Sequence, residues 1–155
     1  MAIDTFDALE LRRLMGQWAT GVSVVTSLGP RGCTANAITS LSLEPPLVLV
    51  CLEHSSNTLE AIRGTGRFCI NVLAADQEEL ARSFARKCAE EEKFGGIGHT
   101  LVDDVPVIDG VLAWVSCELE EELPGGDHAI LTGRPVRGES DPAASPLVFF
   151  RGAYS

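Results

Sequence analysis

Residues 46–53, PLVLVCLE, place the tightest constraint on the fold. The aliphatic run is too short for a buried helix, and neither alternate set of side chains is polar enough to face water. It therefore reads as a strand covered on both sides. The run is entered through a Pro-Pro break and left through HSSNT at 54–58. Those four neutral hydrogen-bonding side chains, Ser55 to Thr58, stand where the strand hands over to a helix.

A strand buried on both faces needs partners, and the flanking sequence supplies them. GVSVVTS at 21–27 is rich in β-branched residues, LGPRG at 28–32 has turn chemistry, and CTANAITSLSLEPP at 33–46 alternates small and apolar residues. Together these suggest a hairpin. RFCINVLA at 67–74 reads as a further strand. VLAWVSCELEEEL, DHAILTGRPVRGE and PLVFFRGAY add three more, separated by turn signals such as PGG.

Helical patterns are fewer. Asp4 or Thr5 can cap a first helix in which Phe6, Leu9, Leu14, Met15 and Trp18 recur at helical spacing before Gly21. NTLEAIRG gives a second, with Asn57 as cap, Glu60 at the reciprocal box position and Gly64 near its end. Asp76 with Glu79 opens a third, whose Leu80, Ala81, Phe84 and Ala85 share one face. The segment 87–98, KCAEEEKFGGIG, mixes charges with glycines and is expected to be an exposed, mobile loop. Six or seven strands and three helices, with no linker or repeat, predict one mainly β domain over residues 1–155. Its expected form is an antiparallel barrel decorated by helices.

Composition narrows the function. Acidic residues number 22 against 12 basic ones, for a formal net charge of -10, which repels nucleic acid and anionic membranes. The N-terminal MAIDTFDALELRR has no signal-peptide pattern, and no apolar run approaches the ~20 residues of a membrane span. Five scattered cysteines without a CxxC fit free thiols in a reducing cytoplasm. His54, His99 and His128 stand far apart, so no metal site is expected. Rossmann, P-loop and GxSxG signatures are absent from the sequence.

The start of a helix attracts anions through its unpaired N–H groups, and Ser55, Ser56, Asn57 and Thr58 would add donors around a phosphate. Simple helix capping by Asn57 is the alternative. Upstream, Thr34, Asn36, Thr39, Ser40 and Ser42 interleave with Ala35 and Ala37. That narrow, polar profile would admit a flat heteroaromatic ring to the backbone, or would equally suit an edge strand with one wet face.

Read together and in order, GVSVVT, GCTANAITSLSLEPPLVLVCL, HSSNT, FCINVLA, GDHAILTG and PLVFFRGAY resemble the flavin reductase-like family with the FMN-binding split-barrel fold. The resemblance implies a small homodimeric NAD(P)H:flavin oxidoreductase that uses FMN or FAD with NADH or NADPH. Such a protein would pass hydride from nicotinamide C4 to flavin N5 and could supply a partner flavin-dependent monooxygenase. It implies that Thr34, Ala35, Asn36, Ala37 and Ser40 line the isoalloxazine and that Ser55 to Thr58 hold the flavin phosphate. His128 would sit near the nicotinamide, with Arg151 and Tyr154 on the pyridine nucleotide side. Many relatives read GMTANS where this chain has GCTANA, so Cys33 and Ala37 depart from the pattern. The phosphate loop has no cation of its own; Arg86 and Lys93 are the chosen candidates, ahead of Lys87. Substituting Trp for Ala35 is expected to abolish flavin binding in a folded protein. A non-catalytic flavin carrier, a thiol-based redox sensor and a split-barrel oxidase of the pyridoxamine-phosphate type are the competing readings.

Overall fold

The computed structural model describes residues 2–155. Along the chain it contains α1 (Ala8–Met15), β1 (Thr20–Gly21), β2 (Ser23–Ser27), β3 (Arg31–Ala35), β4 (Ile38–Leu43) and β5 (Pro46–Glu53). There follow α2 (Asn57–Thr65), β6 (Arg67–Val72), α3 (Glu78–Ala85) and α4 (Glu90–Phe94). The C-terminal half adds β7 (His99–Val102), β8 (Val105–Ile108), β9 (Ala113–Gly125), β10 (His128–Ser140), β11 (Val148–Phe150) and β12 (Ala153–Tyr154).

Seven strands make the main sheet in the order β3-β2-β6-β9-β10-β5-β4, every pairing antiparallel. Its two edges, β3 and β4, are consecutive in the chain and separated only by Asn36 and Ala37. Such a link spans no more than about 10 Å, so the sheet must roll until its edges meet. The Cys51 N–H donates to the Ala37 carbonyl at 2.9 Å, tying the link to β5. The result is a split antiparallel barrel, as the pattern predicts, although CTANAITSLSL proves to be two strands. Each half bonds a different neighbour, β2 or β5, and the break falls between those allegiances.

The rolled sheet encloses Val25, Val50, Leu59, Ile62, Phe68 and Leu131, all fully buried. Each such side chain contributes on the order of 1.5–3 kcal/mol. A second cluster, around Leu73, Phe84, Ile108 and Leu147, lies beneath α3. The outside of β3 packs so closely on α3 and α4 that a Cβ at Gly32 would lie 2.7 Å from Phe84 Cε1. Only glycine fits there.

Helix α1 buries none of its residues. At eight residues it is too short to be stable alone. An Asp7–Glu10 capping box holds its start, and the Arg151 N–H donates to the Gly16 carbonyl at 3.0 Å beyond its end. Capping also differs from expectation in α2, where Ser56 rather than Asn57 caps and accepts from the Leu59 N–H at 3.3 Å. In α3, Gln77 occupies the cap position and makes no capping bond.

The segment read as a mobile loop contains α4, with Glu90, Lys93 and Phe94 buried. Its charges satisfy one another and the backbone. Glu90 Oε1 accepts from the Gly32 N–H at 3.0 Å, and Lys93 Nζ donates to the Gly32 carbonyl at 3.0 Å. Lys93 Nζ also lies 3.1 Å from Glu90 Oε2, an ionic contact that lacks hydrogen-bond geometry. One peptide unit of β3 is thus gripped from both sides. The hairpin β7–β8 was also not anticipated; its turn, Asp103–Asp104, has positive φ at both residues (51° and 69°).

Candidate functional site

Where β3 and β4 part company, two clefts open on either side of the Asn36–Ala37 link, and Ala35, Asn36, Ala37 and Cys51 belong to the walls of both. The first cleft has a volume of about 630 Å³. On one side it is bounded by the start of α2, on another by the end of α3 and the turn after it, and His128 stands at its rim.

The start of α2 provides the donors. Its first N–H groups have no intrahelical acceptor, and the helix dipole favours negative charge there. Ser55 and Asn57 are exposed, with side chains free to serve a ligand. Ser56 divides its hydroxyl between the Leu59 N–H and the Cys33 thiol, which it meets at 3.8 Å. Thr58 is 1% exposed, and its hydroxyl acts on the Cys33 thiol to favour the thiolate. Of the four donors expected from HSSNT, two face outward and two brace the floor.

Cys33 answers the question its replacement of methionine raises. Burial pushes its thiol above the ordinary cysteine range, against the lowering effect of the hydroxyls of Thr58 and Ser56. It stays a neutral thiol and serves as packing. Cys69 and Cys117, deeper in the sheet, are pushed up to about 12 by desolvation. None of these three suits a redox sensor, and all five cysteines are free thiols.

Counter-charge comes from the end of α3. Arg86 and Lys87 are exposed, line the first cleft and form no ion pair among the described residues. Lys93 lines the same cleft, but Gly32 and Glu90 engage its ammonium. Lys87, passed over in the sequence, is thus better free to meet an anion than Lys93. Charge spacing alone could not reveal which lysine had an internal partner.

At the rim, His128 Nδ1 lies 2.7 Å from Asp127 Oδ1. A carboxylate only accepts, so Nδ1 carries the proton and Nε2 is the free ring nitrogen. The same contact holds the Asp127 carboxyl below its usual range. His54 buttresses the turn, its N–H donating to the Asp127 carbonyl at 3.1 Å and its Nε2 lying 3.2 Å from the Gly126 carbonyl.

The ring-lining candidates separate in a similar way. Asn36 and Ala37 are exposed on the link. Thr34 donates its hydroxyl to the Ala81 carbonyl at 2.6 Å, securing α3. Ala35 is 8% exposed and belongs to the main core. Trp at Ala35 would overpack that core, so the expectation of a folded Ala35→Trp protein does not survive. Ser40 lines neither cleft. Arg151 lines the second cleft, whereas Tyr154 packs against Phe149 at 5.2 Å with the Arg82 guanidinium 5.1 Å from its ring centre.

Known proteins align with this arrangement from end to end. The model of the flavin reductase like domain matches residues 15–155. A probable flavin reductase of Rhizobium meliloti is 40% identical over 99% of this chain, which spans only 50% of that relative's length. The reductase subunit HsaB of a flavin-dependent monooxygenase from Rhodococcus jostii is 36% identical, covering 100% of this chain and 80% of its own. Among solved structures, the NADH:FAD oxidoreductase SgcE6 of Streptomyces globisporus superposes with a TM-score of 0.94 at 35% identity, covering 100% of this chain and 96% of that one. A second structure of SgcE6 contains NAD and FAD fragments. Sequence and fold thus match over the length of the chain, which belongs to the flavin reductase like domain family.

Proposed function

We propose that residues 1–155 act as one NAD(P)H-dependent flavin reductase unit. The observation that carries this reading is the first cleft, where helix-start donors and two unpaired cations face each other across a space walled by small side chains. A flavin supplies hydride-accepting chemistry at N5 when bound, and a reduced nicotinamide supplies the hydride at C4.

The chain's own residues bind and orient. Ser55, Asn57 and the first N–H groups of α2 would hold the flavin phosphate, with Arg86 and Lys87 opposite. Asn36 and Ala37 keep the wall thin, so ring and backbone come close, and N–H groups of the link can stabilise negative charge on the ring. His128, oriented by Asp127, presents Nε2 at the rim on the nicotinamide side. By holding a flavin and a nicotinamide in a fixed orientation, these walls would lower the barrier, by ~7–11 kcal/mol in favourable cases.

The test is to mix the protein with NADH or NADPH and with FMN or FAD and to follow nicotinamide absorbance. Sustained oxidation is expected, and NADH is the expected donor, because SgcE6 is an NADH:FAD oxidoreductase. Flavin retention without turnover would instead make the protein a carrier.

Likeness to a reductase subunit of a flavin-dependent monooxygenase supports delivery of reduced flavin to such a partner. A second copy of the chain is the proposed cover for Leu9 and Leu14 of α1 and for Leu43 on the β4 edge, exposed by 72%, 45% and 86%. Light scattering is then expected to give twice the 16.5 kDa chain mass, and a monomer would overturn the assignment. No helix among the described residues is long and apolar enough to cross a membrane. Five free thiols support a cytoplasmic site of action.

A further inference from the structure

HSSNT begins with a residue that takes no part in the walls of the first cleft: Ser55 to Thr58 line it, and His54 does not. The contacts of His54 run instead to the tip of the β9–β10 hairpin. Its backbone N–H donates to the Asp127 carbonyl at 3.1 Å, one step beyond the terminal His128–Glu53 pair of the β5–β10 ladder. Its ring adds a second tie, with Nε2 3.2 Å from the Gly126 carbonyl. A carbonyl only accepts, so Nε2 carries the proton there. One residue thereby fastens both members of the short link between Gly125 and His128. Gly126 has φ +68°, and a glycine link left untied is free to rearrange.

The tip matters because of what it carries. The Asp127 carboxylate accepts from His128 Nδ1 at 2.7 Å, yet its side chain is 93% exposed. An exposed contact of this kind is screened and holds a geometry only weakly by itself. The path of the Gly126–Asp127 backbone therefore decides where the carboxylate sits. With it go the protonated nitrogen of His128 and the direction of Nε2. Across the ladder from His128 lies Glu53, which lines the cleft with it and is joined directly to His54.

We propose that His54 is a positioning residue, a strut that sets the Asp127–His128 pair against the start of α2. This deepens the flavin reductase reading and rests on it. The phosphate donors at one end of the site and the histidine on the nicotinamide side are then spaced by a single segment. The hairpin also has an anchorage of its own: Arg63 Nε and Nη2 donate to the Glu122 carboxylate at 2.8 and 2.7 Å, tying α2 to β9. Loss of the His54 imidazole thus loosens the tip and spares the fold.

His54→Ala removes the ring tie and keeps the backbone one. Its kcat/KM for NADH is expected to fall about 5–10-fold, the scale of one lost hydrogen bond. FMN affinity should stay within about twofold of wild type, and the unfolding temperature within about 3 °C. His54→Gln, whose amide can donate to the Gly126 carbonyl, should recover most of the loss. Nitrogen chemical shifts of the neutral His128 ring give a readout that a purely structural role would not move. Nδ1 should be protonated in wild type and in His54→Gln, with a mixture of tautomers in His54→Ala. In a His128→Gln background, His54→Ala should cost almost nothing further, because both changes act on one unit. Wild-type kcat/KM in His54→Ala would overturn the inference. So would an unchanged His128 tautomer, the same fold-loss in the His128→Gln background, or a loss confined to FMN affinity. A wild-type protein that oxidises no reduced nicotinamide in the presence of flavin would instead sink the reductase reading, a result distinct from an active enzyme whose turnover ignores His54.

Discussion

Ala37→Trp is expected to weaken FMN binding ~100-fold or more while leaving the unfolding temperature within about 3 °C of wild type. A large aromatic side chain placed in a mouth fitted to a flat ring removes the space the ligand needs, and a loss of ~2.7 kcal/mol already amounts to 100-fold. The fold is spared because Ala37 is exposed and its structural duty is discharged by its carbonyl, which accepts from the Cys51 N–H whatever the side chain. Fluorescence titration with FMN, beside a thermal melt, checks both halves. Affinity near wild type would show that the ring does not lie against the link. The same substitution at Ala35 could not make this distinction, since there it would damage the core.

Lys93→Met is expected to destabilise the protein by about 3 kcal/mol. It leaves the Glu90 carboxylate, 4% exposed, without its counter-charge and the Gly32 carbonyl without its side-chain donor. Breaking one side of a buried pair typically costs ~3–5 kcal/mol, whereas replacing both with apolar residues is often close to neutral. In a domain of this size the single change should lower the melting temperature by ~6–12 °C. Glu90→Leu/Lys93→Met should recover most of that. A melt of the single variant within ~2 °C of wild type would show that the α4 clasp on Gly32 contributes little.

Most strands were legible because β-branched and aliphatic runs alternate with turn residues, and PLVLVCLE marked β5, one strand in from the β4 edge. What escaped depends on partners remote in sequence. The charges of EEEKF looked solvated, yet two of them close on a glycine some 60 positions earlier, and nothing local announces that. Four adjacent cap-competent residues in HSSNT located the start of α2 but not which one caps it. The apolar stripe of α1 was readable, whereas its failure to find a place in the core was not.

The site divided along similar lines. Residue types at 34–37 and 55–58 pointed to what the fold makes the walls of one cleft, because small and hydroxylated side chains are a local property. Which hydroxyls face outward is not local. Thr34 turns inward to the Ala81 carbonyl, and Thr58 is buried outright. That Arg12, Arg13 and Trp18 line one cleft with Arg151 gave no sequence signal either, since the contact of the C-terminal turn with Gly16 that joins these segments is remote in sequence.

One consequence of the Asn36–Ala37 link concerns how such a protein can change. The two residues that join the rolled sheet's borders are also the partition between its two chambers, so lengthening them would widen both mouths while no ladder lost a rung. Aperture can thus drift independently of the scaffold, and ring systems of differing bulk become accessible through a single short insertion rather than a rebuilt interior.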